Sequence, residues 1–129
     1  MIQTTLVVGL NAYEREKAIE EKMVMMVKAQ TKVLKWGILL EGMCEGKVVL
    51  SEKENVLIFR VASGCICCSN KLIMRIYLNR LIQQFPDHLF LSISNPSHLE
   101  QIKQFLTTPE YEKRIELMPD MNLHATMSQ

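Results

Sequence analysis

The stretch "NVLIFRVASGCICCSNKLIMRIYL", residues 55–78, decides the fold class of this chain. Its first third is a run of β-branched and apolar residues, which is typical of a buried strand. Its last third repeats apolar residues at three- and four-residue steps, which is typical of a helix, and Pro86 ends that helix. Between the two lies Gly64, followed by three cysteines within four positions. The segment therefore predicts a strand, a sharp turn that carries thiols, and a helix.

The remainder of the chain continues this alternation of strands and helices. Asn11 is a suitable N-cap for the first predicted helix, whose early turns are rich in acids. In chain order the sequence predicts a buried strand "TTLVVGL" (4–10), an amphipathic helix (11–30), a strand "KWGILLEG" (35–42), a strand "HLFLSIS" (88–94), a loop and helix "NPSHLEQIKQFL" (95–106) and a last strand "KRIELM" (113–118).

This order of elements predicts the fold class. Strands that alternate with helices favour an α/β fold of three layers, with a mostly parallel sheet and right-handed crossovers. We expect one domain over residues 1–129, with a flexible tail over about 119–129. The runs "GKVVL" (46–50) and "NVLIFRVA" (55–62), separated by "SEKE", predict a hairpin.

Composition excludes several classes of protein. The chain has 15 basic and 14 acidic residues and a formal net charge of +1, so it offers no basic field for nucleic acid or an anionic membrane. Its apolar runs, such as "MVMMV" (23–27), are too short to span a bilayer. The N-terminus has no basic region typical of a signal peptide. We therefore expect a cytoplasmic protein.

The cysteine cluster indicates metal chemistry. In a reducing compartment, clustered cysteines are more often metal-binding or catalytic than disulfide-forming. Cys65 and Cys67 are two residues apart, so on an extended strand end both side chains point to one side. Cys68 falls at the predicted helix start, where free N–H groups favour the thiolate. Any one of these cysteines could be a buried apolar residue. Three together favour ligation of zinc, another soft divalent ion or copper(I).

A zinc site usually has four ligands, so a further ligand is expected. Glu41 ends a predicted strand at the same edge of a parallel sheet as Gly64, which makes it the first candidate. The other candidates are Cys44, Glu45 and His98, with His88 and His124 as weaker ones.

The "GCICC" run (64–68), after a strand and before a helix, resembles the Gly-Cys-x-Cys-Cys motif of the CobW family. Those proteins are P-loop GTPases associated with zinc and cobalt handling, and are described as metallochaperones. The order of elements over about residues 4–120 is similar as well, so the resemblance implies a truncated P-loop NTPase-like fold. The family's Asn-Glu-Phe-Gly segment corresponds to "LEGM" (40–43), which keeps only Glu41. The resemblance thus implies a metal site of Cys65, Cys67, Cys68 and Glu41.

The nucleotide motifs of the family are lost. Its Walker A loop, G-x-x-x-x-G-K-[ST], corresponds here to "GLNAYERE" (9–16), which keeps only Gly9. Glu14, Arg15 and Glu16 stand where the second glycine, the lysine and the Mg²⁺-binding hydroxyl belong. The Glu-Thr-Ser-Gly segment reads "SISN" (92–95), and the guanine-reading Asn-Lys-x-Asp is absent. We therefore expect no nucleotide cofactor and no GTPase activity.

Two functional hypotheses follow. The first is a metal-binding protein, with zinc as its metal, that acts as a carrier, a sensor or an accessory to a full-length relative. The second is a structural or interaction module whose cysteines are vestigial, and which forms a homodimer or binds a full-length relative. In either case we expect a homo-oligomer or a protein partner, because the chain stops before the second half of a CobW GTPase domain. A thiol redox protein and an active GTPase rank below both.

Overall fold

The computed structural model of the protein describes residues 1–42, 49–62 and 72–123. The elements in chain order are β1 (Ile2–Val8), α1 (Ala12–Lys28), β2 (Trp36–Glu41), β3 (Val56–Val61), α2 (Leu72–Ile82), β4 (His88–Ile93), a 3₁₀ turn (Pro96–His98), α3 (Leu99–Leu106), β5 (Ile115–Leu117) and β6 (Met121–Asn122).

The strands form one sheet in the order β3-β2-β4-β1-β5, and β6 also pairs with β1. Each of the strand pairings between these elements is parallel. The carboxyl ends of β1, β2, β3 and β4 consequently lie along one edge of the sheet. We refer to this as the carboxyl edge. In open α/β sheets this edge is where ligand sites are built.

Helices cover both faces of the sheet. On one face α2 and α3 pack against alternate residues of the strands, including the fully buried Leu6 and Leu39. On the other face Ile19 of α1 packs with Val7 and Ile38. The expectation of a three-layer α/β fold with a parallel sheet is confirmed.

Helix α1 begins as the sequence predicts. The Asn11 side chain accepts a hydrogen bond from the Glu14 N–H at 2.8 Å, which satisfies one of the unpaired amides of the first turn. Farther along, the helix buries little apolar surface. The buried residues of α1, all of whose positions are described, are Arg15, Glu16 and Ile19. Two of the three are charged, which an amphipathic pattern does not predict.

The predicted hairpin before the cysteine segment is wrong for the described residues. Val49 and Leu50 are not in a strand, and β3 pairs in parallel with β2. A single antiparallel bridge, between Lys53 and Val56, closes a tight turn just before β3. The reason lies in the backbone of Leu50, whose N–H and C=O bind the Glu16 and Arg60 side chains and not a neighbouring strand.

The segment expected to be a flexible tail begins with ordered backbone. Met121 and Asn122 pair with Val7 and Val8 of β1, and the Leu123 N–H donates to the Val8 carbonyl at 2.8 Å. Residues 124–129, which include His124, lie outside the described residues. Across the described ranges, no helix has the length and apolar character needed to cross a membrane.

Candidate functional site

The loop between β1 and α1 turns sharply at the carboxyl edge. Gly9 has φ +100° and Leu10 has φ 52°, so both lie in the left-handed region. A Cβ added at Gly9 would lie 1.7 Å from the Leu123 carbonyl oxygen. Glycine is therefore required here by its backbone conformation and by the close passage of the chain after β6.

Arg15 fills the space that this loop encloses. Its side chain is 2% exposed, and its guanidinium donates at 2.7 Å to the Ser92 hydroxyl and at 2.9 Å to the Glu41 backbone carbonyl. It also donates to the carbonyls of Leu10, at 3.1 Å, and Gly9, at 3.4 Å. One cation thus joins the β1–α1 loop to the ends of β2 and β4. Arginine suits this position because its planar fork of donors reaches several fixed acceptors at once.

Glu16 forms a second charged contact beside the first. Its side chain is 1% exposed. Its carboxylate pairs with the Arg60 guanidinium at 2.9 and 3.2 Å and accepts the Leu50 N–H at 3.0 Å. Arg60 also donates to the Leu50 carbonyl at 3.0 Å. This two-point pairing connects α1, β3 and the segment before β3, and a buried carboxylate needs such partners.

Together these contacts define what we call the loop network: Arg15, Glu16 and Arg60 with the backbone and hydroxyl groups that they bind. The sequence interpretation treated Glu14, Arg15 and Glu16 only as lost phosphate ligands. Ser92 lies 77 positions after Arg15, and Arg60 lies 44 positions after Glu16. No local sequence signal indicates partners at that separation. The adjacent arginine and glutamate at the helix start are the one local feature that indicates a charged network here.

Glu41, the predicted carboxylate ligand, lies at the end of β2 on the carboxyl edge. Its side chain is fully buried, and one carboxylate oxygen accepts the Ser94 N–H at 2.9 Å. It is paired in register with Val61, the last residue of β3. The structure therefore places Glu41 beside the strand that leads into the cysteine segment.

The thiol candidates Cys65, Cys67 and Cys68 lie outside the described residues, as do Cys44 and Glu45. Within the described ranges, no group of three or more His, Cys, Asp or Glu side chains is arranged to hold a metal ion. The predicted four-residue ligand set consequently stays a prediction.

The described histidines occupy different ends of the sheet. His88 begins β4 and is paired with Trp36, at the opposite end of β2 from Glu41. Trp36 and Glu41 are five positions apart along β2, a distance of about 16 Å. His88 is therefore too far from Glu41 to share a metal ion with it. Burial lowers the pKa of His88 below its ordinary value of 6.5. His98 lies after β4, at the carboxyl edge, and its Nδ1 is buried without a hydrogen-bond partner in the part of the chain that the structure describes.

The fold and the position of this loop define a protein of the P-loop NTPase-like α/β class. The nucleotide-binding domain profile of CobW/HypB/UreG matches residues 13–121, and the chain belongs to this family.

A curated relative gives a more specific comparison. The chain is 35% identical over 86 residues to the zinc chaperone YeiR of Escherichia coli. The aligned region covers 64% of this chain and 26% of YeiR. The chain thus spans about a quarter of the length of this relative. No solved structure matches it significantly.

Proposed function

We propose that this chain is a zinc-binding protein on a CobW-like scaffold that neither binds nor hydrolyses GTP, and that it acts as a carrier, sensor or accessory in zinc handling. The observation that carries the proposal is the loop network. Arg15 binds backbone carbonyls and the Ser92 hydroxyl, and Glu16 pairs with Arg60 of β3, while the buried Glu41 carboxylate lies at the edge beside the cysteine segment.

The loop network opposes nucleotide binding in two ways. A phosphate loop works by presenting bare backbone N–H groups, a lysine and a hydroxyl to phosphates and Mg²⁺. Here Arg15 is committed to carbonyls and a hydroxyl. Glu16 places a carboxylate where the hydroxyl would bind Mg²⁺ beside the phosphates. A polyphosphate would have to break the first set of bonds and approach the second group against charge repulsion.

The geometry of Glu41 supports its role as a metal ligand. Carboxylates that bind metals are themselves held by hydrogen bonds, which fix their orientation. The Ser94 N–H provides such a bond, and the Arg15 contact to the Glu41 carbonyl fixes the backbone at the same residue. We propose Cys65, Cys67 and Cys68 as the thiolate ligands. Zinc is favoured over other soft ions because the relative YeiR is a zinc chaperone.

The decisive experiment measures zinc per chain. Protein purified without chelator is analysed by elemental mass spectrometry for the parent, Cys65→Ser, Cys67→Ser and Glu41→Gln. We expect the parent to hold one zinc per chain or per dimer, and each variant to hold less. Cys44→Ser tests the other thiol candidate for the further ligand, and Glu54→Gln, on the exposed segment before β3, is the control that should retain the parent's zinc. If Cys65→Ser and Cys67→Ser retain metal and melt like the parent, the thiols are not ligands.

The absence of nucleotide binding is tested separately. A fluorescent GTP analogue is titrated with Mg²⁺ present, and the expected result is no saturable signal. Saturation at low micromolar concentration would show that the loop network opens and that the chain retains the family's nucleotide function.

One observation favours the second hypothesis, an interaction module. Several large apolar side chains on the described surface are exposed, among them Met25 at 66%, Val33 at 80% and Phe85 at 83%. Burying such side chains against another protein chain would be favourable, because it removes apolar surface from water. The two hypotheses are compatible, and the cytoplasmic location assumed in both stays a prediction.

A further inference from the structure

A groove runs beside the outer half of α1, on the face of the sheet opposite to α2 and α3. Its volume is about 470 Å³. The apolar side chains that line it are Met23, Val24, Val27, Trp36, Val49, Leu50 and Val56. Val24 is 48% exposed and Val27 is 49% exposed, and both lie in the last two turns of α1. This face of α1 therefore presents apolar surface that residues 1–42, 49–62 and 72–123 leave exposed.

Two charges of α1 flank the apolar centre of the groove symmetrically, and Lys53 lines the groove from the segment before β3. Glu20 lies four residues before Val24 and Lys28 lies four residues after it, so the two charges are each displaced by one turn, about 6 Å along the helix axis. Both are exposed and both line the groove. Neither forms an ion pair among residues 1–42, 49–62 and 72–123.

We infer that this face is a dimer interface, on which α1 of a second copy of the chain packs antiparallel across the two-fold axis at Val24. In an isologous interface, residue i contacts residue j of the partner and j contacts i. An antiparallel pair centred on Val24 places Glu20 opposite the second copy's lysine at position 28, and does so twice. The same operation brings the two Val24–Val27 surfaces together.

The alternative arrangements of two copies are less favourable. A parallel pairing of α1 would set Glu20 against a second glutamate and Lys28 against a second lysine, and like charges in contact are repulsive. The acid-apolar-base order along α1 is self-complementary only in the antiparallel sense. The inference concerns a face that is separate from the proposed metal ligands, so it stands or falls without them.

The test measures the dimer dissociation constant of the full chain by sedimentation equilibrium. We expect reversible dimerisation in the parent. Lys28→Glu replaces two attractive contacts per dimer by two repulsive ones, so it should weaken dimerisation about tenfold. The double variant with Glu20→Lys and Lys28→Glu restores opposite charges and should bring the dissociation constant back close to the parent value. Added salt should weaken the parent dimer.

Lys22→Glu is the matched control, because Lys22 is exposed on the same helix but does not line the groove. It should leave the dissociation constant unchanged. A parent that is monomeric at every concentration overturns the inference. Equal weakening by Lys22→Glu and Lys28→Glu also overturns it, because it would indicate another surface. Failure of the double variant to restore the dissociation constant overturns it as well, because it would exclude the antiparallel pairing.

Discussion

Replacing Arg15 by methionine tests whether the loop network stabilises the fold. Methionine has a similar length and packs well in irregular spaces, so the substitution removes the guanidinium without a large cavity. It leaves the carbonyls of Gly9, Leu10 and Glu41 without the donor that they now share. The Ser92 hydroxyl also loses the hydrogen bond that it accepts from Arg15.

The expected cost follows from these four contacts. A buried acceptor left without a partner costs about 1–3 kcal/mol, and the contributions are not additive. Because the four contacts are not additive, we expect a total cost of about 3–5 kcal/mol. The whole free energy of unfolding of a domain is about 5–15 kcal/mol. Arg15→Met should therefore remove a large fraction of it. Arg15→Lys retains the charge but loses the planar fork, and should lose roughly half as much.

Urea denaturation followed by far-UV circular dichroism measures the effect. With a slope of about 2 kcal/mol per molar urea, the midpoint of Arg15→Met should fall by about 2 M. Lys22→Met, an exposed substitution on the same helix, is the control and should change the free energy of unfolding by no more than about 0.5 kcal/mol. A loss below about 1 kcal/mol for Arg15→Met would refute the reasoning, since it would mean that water or other side chains satisfy the carbonyls equally well.

Three further outcomes are expected. Gly9→Ala should lower the melting temperature by several degrees, because its Cβ would meet the Leu123 carbonyl oxygen at 1.7 Å in a left-handed backbone; an unchanged melting temperature would contradict this. Burial lowers the pKa of His88, so the unfolded chain binds the proton more tightly and stability is lost as pH falls below 6.5. Urea midpoints at about pH 7.5 and about pH 5.5 should differ less in His88→Gln than in the parent; an equal difference would show that other groups are responsible. Burial raises the pKa of Tyr111 to about 12, and its hydroxyl donates to Asn79 at 3.0 Å. Tyr111→Phe should cost about 1 kcal/mol in urea denaturation, and a neutral effect would mean that Asn79 finds water.

The fold could be predicted from the sequence because its signals are local. The strand runs, the periodic helices and the Asn11 cap depend on residues close together in the chain, and the structure confirms them. The hairpin prediction failed because two apolar runs near each other were assumed to pair. Leu50, at the end of the first run, binds Glu16 and Arg60 instead, so β3 is the edge strand on that side among the described residues.

The candidate site was predictable only in part. The position of Glu41 at the carboxyl edge follows from its place at the end of a parallel strand, and it is confirmed. The loop network was not predicted, because charged residues in a helix normally face solvent and only tertiary contacts reveal that Arg15 and Glu16 do not. The ligation by Cys65, Cys67 and Cys68 stays a prediction.

The loop network also determines how the fold would respond to restoring the lysine and the hydroxyl of a Walker A motif at positions 15 and 16. A lysine at position 15 could not donate to all the carbonyls that Arg15 now binds. A serine at position 16 would remove the carboxylate that pairs with the Arg60 guanidinium, which is 30% exposed. Each single step toward a Walker A motif is therefore expected to lower the stability of the fold. Stability would thus oppose a return to the motif at each position, and any coupling between positions 15 and 16 would add to the two separate costs. Arg15→Lys and Glu16→Ser, made singly and together, would measure this coupling as the difference between the double loss of stability and the sum of the single losses.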